Sequence, residues 1–410
     1  MRQKRYFLLI LPLLLTLLAI LPVWAAFSVQ CPGGDANDDT YSDTDPTVRC
    51  YHVTGGDGFI NMADKNLVPG GTLMYTFGFA RVPNNFPLDQ VMSYGELAAE
   101  FSAPTIKVKE GEKLYLTLST VGMVMRPDLF DPHTIHYHGF PNAGYIFDGE
   151  PMASISINPQ SSLTYFYNLV EPGTFLYHCH VEATEHMQMG MLGNLYVTPL
   201  QDDNVTLKNL GMARPIGTPF AGFAYNDGDG STGYDVDYPI QMSGFDPEFH
   251  NANLDIQPLP FAAMKDSYMM LNGRGYPDTI NPAVLSNTFT ELPSGGKATQ
   301  KLHSIITAQR GQRILLRISS VSTVHLSTLM STIPMKVVGK DARLLRGTGG
   351  QNLFYNTNSV NLGGGQTVDA ILDTQNVAPG TYFLFSRNLS DLVNDREDFG
   401  GMMTEITITP

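Results

Sequence analysis

The chain has 410 residues, with 25 Lys and Arg against 39 Asp and Glu, and a formal net charge of −14. That length can hold two or three domains, each able to bury its own core. So acidic a surface argues against nucleic acid and anionic membrane as partners and favours solubility and cationic ligands.

Arg2, Lys4 and Arg5 precede an apolar run from Phe7 to about Val23, which ends in Val23-Trp24-Ala25. This reads as a secretory signal over residues 1–25 with cleavage after Ala25. A retained membrane anchor is the alternative, but the run is short for a spanning helix. The expected location is therefore periplasmic or secreted, with no membrane contact after cleavage. Residues 26–50 form an acidic segment flanked by Cys31 and Cys50. Outside the cytoplasm these can pair in a disulfide; two free thiols are the alternative. Asp35-Ala-Asn-Asp-Asp39 with Asp43 and Asp45 offers oxygen ligands for calcium. It lacks the twelve-position loop ending in Glu, so a solvated loop is the preferred reading.

Short β-rich runs bounded by Gly, Pro, Asn and Asp follow: Thr72–Phe79, Thr105–Ser119, Ser162–Leu169, Asn194–Val197, Ile314–Ile318, Thr367–Asp373, Gly380–Phe385 and Thr404–Thr409. Nothing reads as a long amphipathic helix. Many short strands with turn signals predict an all-β chain of sandwiches or barrels. The expected division is a first domain at 51–200, a linker at 201–234 and a second domain at 235–410. The linker's Asp227-Gly-Asp-Gly-Ser-Thr-Gly is again read as a solvated loop before a calcium site.

Six of the ten histidines fall between residues 133 and 186, around the third cysteine. They form two phrases, His133-Thr-Ile-His136-Tyr-His138 and His178-Cys179-His180, followed by His186 and Met191. Imidazole suits copper, and two imidazoles with a thiolate and a distant thioether are the ligands of an electron-transfer copper site. On a strand, residues two apart share a face. His136 and His138 therefore point one way, as do His178 and His180, while Cys179 points the other. The inward set is Cys179 with His133, and with His186 and Met191 from the loop beyond. The outward set is four paired histidines that could hold one or two coppers. Ordinary strand histidines would account for His136 and His138 alone, but not for both phrases together. An unpaired Cys179 in an exported chain also needs a reason, which a metal supplies.

The pattern HxxHxHG followed by HCHxxxxxHxxxxM resembles the multicopper oxidases, the laccases and metallo-oxidases built from cupredoxin domains. Phe147-Asp148-Gly149-Glu150-Pro151 matches the Asp-Gly after that family's first HxHG, and Glu171-Pro-Gly-Thr-Phe-Leu-Tyr-His178 its lead-in to the copper strand. Asn272-Gly-Arg-Gly-Tyr-Pro277, Pro334-Met-Lys-Val-Val-Gly-Lys-Asp341 and Pro379-Gly-Thr-Tyr382 resemble landmarks of its later domains, so the likeness covers most of residues 51–410. It implies two cupredoxin-like Greek-key β-sandwiches. It implies type 1 copper on His133, Cys179, His186 and Met191. His136 would be a type 2 ligand, and His138, His178 and His180 type 3 ligands, of a trinuclear cluster reducing dioxygen to water. Asp148 takes the position of a proton-relay carboxylate, although a turn Asp before Gly149 is as good a reading. The reductant would be a small molecule or a metal ion: Glu182, Glu185, Met187 and Met189 surround the His186 edge and could suit a metal ion, although packing of the loop is the preferred reading of the methionines. The segment Val181-Glu-Ala-Thr-Glu185 makes the Cys179–His186 spacing two residues longer than in laccases.

The second half departs from the family. A trinuclear cluster takes eight histidines from two facing domains, but here the second domain has only His250, His303 and His325. Its ligand-bearing stretch has become Leu384-Phe-Ser-Arg387-Asn388, without Cys or His. Two copies of the first domain could meet about a twofold axis and supply four histidines each. Alternatively, a neighbour's second domain could add His325, as in copper nitrite reductases. Both make the protein a homo-oligomer. Three activities stay open: a dioxygen-reducing oxidase, a nitrite reductase, and a non-catalytic blue-copper electron carrier.

Overall fold

A computed structural model describes residues 31–32, 45–83, 86–141, 143–291 and 295–410. The expected signal segment and the stretch Asp35–Asp43 lie outside the described residues. Cys31 and Cys50 are joined by a disulfide, with their Cα atoms 5.9 Å apart.

The first unit packs two four-stranded sheets face to face. One has the order β2 (Leu73–Arg81), β1 (Val48–Asn61), β4 (Lys113–Gly122), β6 (Ser161–Asn168). The other has β3 (Ile106–Lys109), β8 (Leu192–Thr198), β7 (Gly173–His178), β5 (His136–Tyr137). β1 and β4 run parallel, as do β3 and β8, and the other pairs are antiparallel. The single strand expected over Thr105–Ser119 is broken at Gly111, whose φ of +88° turns the chain between β3 and β4.

β1 carries Gly55-Gly56-Asp57-Gly58 and shows no alternation, because its second half is buried on both faces. The glycines let neighbours approach closely. A Cβ on Gly55 would stand 3.0 Å from His133 Cδ2 and 3.5 Å from Met191 Cε, so this bare backbone forms one wall of the inward site. Asp57 is buried and accepts from Val124 N at 3.0 Å, Met125 N at 2.8 Å and the Tyr75 hydroxyl at 2.9 Å.

In the second unit one curled sheet closes both layers. The strand Ser327–Lys340 belongs to both, pairing with Gly380–Ser386 through Leu329–Ser331 and with Thr367–Asp373 through Lys336–Lys340. Its core holds Ile240, Ile314, Leu316, Met335, Ala370 and Ile406. Residues 201–234 pack Tyr225 and Tyr234 against Leu315, Val338 and Ile371. There Asp227 is buried, its carboxylate accepting from the backbone N–H of Asp229, Gly230 and Thr232 and from Gln201 Nε2. These bonds make Asp227 a turn organiser. The two units share an apolar seam of Ile60, Met74, Phe101 and Leu192 with Phe245, Tyr268, Met270 and Val321.

Candidate metal centre

β7 ends at His178, and the chain continues extended through Cys179 and His180. Cys179 N donates to Met191 O at 3.1 Å, and Thr134 N donates to Cys179 Sγ at 3.4 Å. His133 is fixed by backbone bonds to Ile157 in both directions, at 3.0 and 2.9 Å. These bonds turn Cys179 Sγ inward, 3.0 Å from His186 Nδ1 and 4.0 Å from His133 Nδ1. The three ligand atoms lie within 4.8 Å of one another, and all three residues are buried.

The expected loop carrying His186 is a short helix, α1 (Ala183–Met189). Glu182 enters it in a left-handed conformation, φ 45°, and Gly190 ends it at φ 114°. A Cβ on Gly190 would press on Thr76 Oγ1 and Phe77 O, so only glycine fits there. Met191 then returns, its N–H donating to His186 O at 2.8 Å and its side chain buried in the same core as Cys179.

Asp131 stands 3.1 Å from His186 Nε2. Its charge places the imidazole proton on Nε2 and leaves Nδ1 to face the sulfur. Burial opposes charge on Cys179, yet His186 and His133 bring its thiol down to about 5. Burial likewise opposes charge on His186, but the sulfur and Asp131 push it well above the usual imidazole range. A buried thiolate facing two Nδ1 atoms, with a thioether alongside, fits a copper ion.

On the outward side His136, His138 and His178 also present ligand atoms within 4.8 Å of one another. Each ring is held through the backbone. His136 Nδ1 donates to Asp148 O at 2.8 Å, His178 Nδ1 donates to Cys179 O at 2.7 Å, and His138 is hydrogen-bonded to backbone of Gly365. His138 Nε2 and His178 Nε2 then face each other at 2.9 Å. Burial pushes His178 down to about 3 and His138 below its usual range. Neutral imidazoles with facing lone pairs are a metal-ready set. His180 does not join the converging three. Its ring stands 4.7 Å from that of His136, and its N–H donates to Thr134 Oγ1.

An open cleft of about 700 Å³ lies over these histidines. Its far wall is Asp341, Arg343, Gly365 and Gln366 of the second unit, with no imidazole among them. Asp148 lines the cleft with Oδ2 3.5 Å from His136 Nδ1. Gly149 after it has φ +79°, and a Cβ there would collide with the Ile135 backbone. His250 is a buried packing residue whose two ring nitrogens meet Tyr75 O and Gln188 O. His325 instead lies near Asp266, and Asn272 Nδ2 donates to the carbonyl of His303.

A second, smaller cavity of about 180 Å³ adjoins His186 through Asp131, lined also by Arg126, Glu182, Glu185 and Asn253. Met189 is fully buried in the first-unit core, and Met187 is only half-buried. The sequence reading missed Asp131 and Thr134. Both lie beside His133, but the groups they serve come from 45 to 55 residues further on, so no local spacing reveals them.

Two family models match the sequence, both described as multicopper oxidase, one over residues 88–202 and the other over 254–406. No curated protein matches. Among solved structures the fold is similar to the blue copper oxidase from Nitrosomonas europaea, at 20% identity and TM-score 0.60, over 88% of this chain and 86% of that one. It is also similar to the multicopper oxidase mgLAC, at 20% identity and TM-score 0.59, over 88% and 87%. The copper nitrite reductase from Nitrosomonas europaea aligns at 15% identity and TM-score 0.54, over 88% and 94%. Matched by the family models in both halves, the chain belongs to the multicopper oxidase family of copper-containing oxidoreductases.

Proposed function

We propose that this chain is an exported oxidase that takes single electrons from a reductant beside His186 and delivers them to dioxygen at the outward histidines. His133, Cys179, His186 and Met191 would hold type 1 copper. His136, His138, His178 and His180 would supply half of a trinuclear cluster. When bound, copper supplies the one-electron chemistry at the first site and dioxygen reduction to water at the second. The observation that carries the reading is the junction at His178-Cys179. Adjacent residues serve the two sets, and the His178 Nδ1 bond to Cys179 O adds a second link of 2.7 Å between them.

The chain's own residues do the rest. Asp131 orients His186, while Asp148 and Gly365 orient His136 and His138. The Asp148 carboxylate, partly open to the cleft, can hold and release a proton beside His136. The acidic cavity at Glu182 and Glu185 favours a cationic reductant. The far wall of the cleft offers no imidazole from this chain, so a second copy completes the set across a subunit interface. Tyr145 (78% exposed), Ile146 (48%) and Met152 (94%) give the rim beside Asp148 an apolar surface for that contact.

Oxygen uptake with cuprous ion, together with copper counted per chain, tests the reading. His136→Ala should abolish uptake and leave the intense visible absorption of the Cys179 site. A loaded protein with one copper per chain and no oxygen uptake would sink it in favour of an electron carrier. Nitrite reduction is the second reading, prompted by the similarity to a nitrite reductase along 94% of that chain. Nitrite-dependent turnover without oxygen would favour it.

A further inference from the structure

On the side of α1 that faces the second unit, a buried carboxylate and an imidazole stand opposite each other, each with one atom that lacks a hydrogen-bond partner. The Asp266 side chain is fully buried. Its Oδ1 accepts from Gln188 Nε2 at 3.1 Å. Its Oδ2 has no hydrogen-bond partner among the described residues, and neither does the buried Nε2 of His325. The two atoms are 3.9 Å apart.

A buried carboxylate oxygen left unpaired is costly, and facing an imidazole nitrogen it defines a place for a cation. The surroundings supply soft donors. A Cβ on Gly244 would collide with both Asp266 Oδ2 and Met269 Sδ, so carboxylate and thioether pack side by side against this bare glycine. Met264 Sδ is 3.7 Å from Thr323 Oγ1, which in turn donates to Gln188 Oε1 at 2.8 Å. The charges of Asp246 and Asp391 deepen the negative field at Asp266.

We propose that Asp266 and His325, with Met269 beside them, bind a single copper ion at a site separate from the two built by the first unit. Carboxylate and imidazole bonds to a metal run to about 2.0–2.2 Å, so one ion can span a pair of atoms about 4 Å apart. The thioether biases the set towards cuprous ion over harder metals. His325, one-third exposed, gives the ion its way in. The seam between the units thereby gains a metal clasp, in a second unit whose Leu384–Asn388 stretch carries neither Cys nor His.

The test uses the full chain loaded with copper and equilibrated against rising concentrations of a cuprous chelator, with copper per chain counted by elemental analysis. His325→Ala should hold one copper fewer per chain than the unaltered protein, with the same visible absorption from the Cys179 site. Asp266→Asn should behave alike. If it does not fold, the variant at the one-third exposed His325 carries the comparison. Equal copper content in the unaltered and His325→Ala proteins at every chelator concentration overturns the site. Missing visible absorption in both proteins would refute the oxidase reading and not this one, which the copper difference alone decides.

Discussion

His178 donates its Nδ1 proton to the carbonyl oxygen of Cys179, 2.7 Å away. The residue that turns its sulfur inward therefore also fixes the tautomer of the imidazole turned outward. With the proton on Nδ1, the Nε2 lone pair of His178 is aimed at His138 Nε2, 2.9 Å away. Two such lone pairs repel unless something positive lies between them, so the outward pair suits a shared cation. The same backbone segment thus positions one residue of each candidate set.

Asp131 should control how tightly the inward site holds copper. Asp131→Asn keeps the size of the side chain but removes the charge that places the His186 proton on Nε2. Losing the partner of a ligating imidazole typically lowers metal affinity by about 10–100-fold. Chelator competition followed through the visible absorption measures this. An affinity within about twofold of the unaltered protein would show that α1 alone orients His186.

Gly149→Ala should separate the two metal sets. The residue needs φ +79°, and the added methyl would meet the Ile135 carbonyl immediately before His136. A cost of about 2 kcal/mol or more is expected from the backbone strain and the collision. Urea denaturation gives that cost. Copper analysis should show loss at the outward histidines while the Cys179 absorption stays. Loss of both in parallel would mean that the segment 144–150 supports the whole unit.

Much of the candidate site was legible because strand parity is local. The spacing of His136 with His138, and of His178 with His180, already separates an inward from an outward set. His180 stands on the side that parity expects, its ring 5.6 Å from that of His178 and 4.7 Å from that of His136, although it is not among the three whose ligand atoms converge within 4.8 Å. The 48–61 strand was not legible, since a strand buried on both faces and rich in glycine shows neither alternation nor β-branched runs. The helix bearing His186 was hidden for another reason. At seven residues it is too short for a periodic pattern, and it is held by Cys179, Asp131 and the second unit's Asp266 rather than by its own propensity.

Glu182 and Glu185 should select the reductant. Both line the cavity beside Asp131, and Asn253 Nδ2 donates to Glu185 Oε1 at 2.6 Å, which holds that carboxylate at the cavity wall. Replacing both with Gln removes two negative charges without changing shape. KM for cuprous ion should rise about tenfold, the effect of about 1.4 kcal/mol of lost attraction, while a neutral phenol is oxidised as before. An equal change for both substrates would mean that the cavity does not receive the metal ion.

Acid should weaken the first unit through His52. This residue is buried on β1 with Nε2 2.7 Å from Ser119 Oγ, and burial, aided by the charge of Arg81, lowers it from 6.5 to about 4. Between those values the unfolded chain carries the proton and the folded chain does not, so the unfolded state binds more protons and stability rises with pH. The contribution is complete above pH 6.5 and is lost progressively as the pH falls towards 4, by up to about 3 kcal/mol. His52→Gln keeps a polar partner for Ser119 but cannot titrate. Other buried groups titrate in both proteins and cancel in the comparison. Denaturation at stepped pH should give a slope shallower by about one proton in His52→Gln across this window. Identical slopes would mean that His52 is protonated in the folded protein, with its charge accommodated at the Ser119–Ser162 hydroxyl pair.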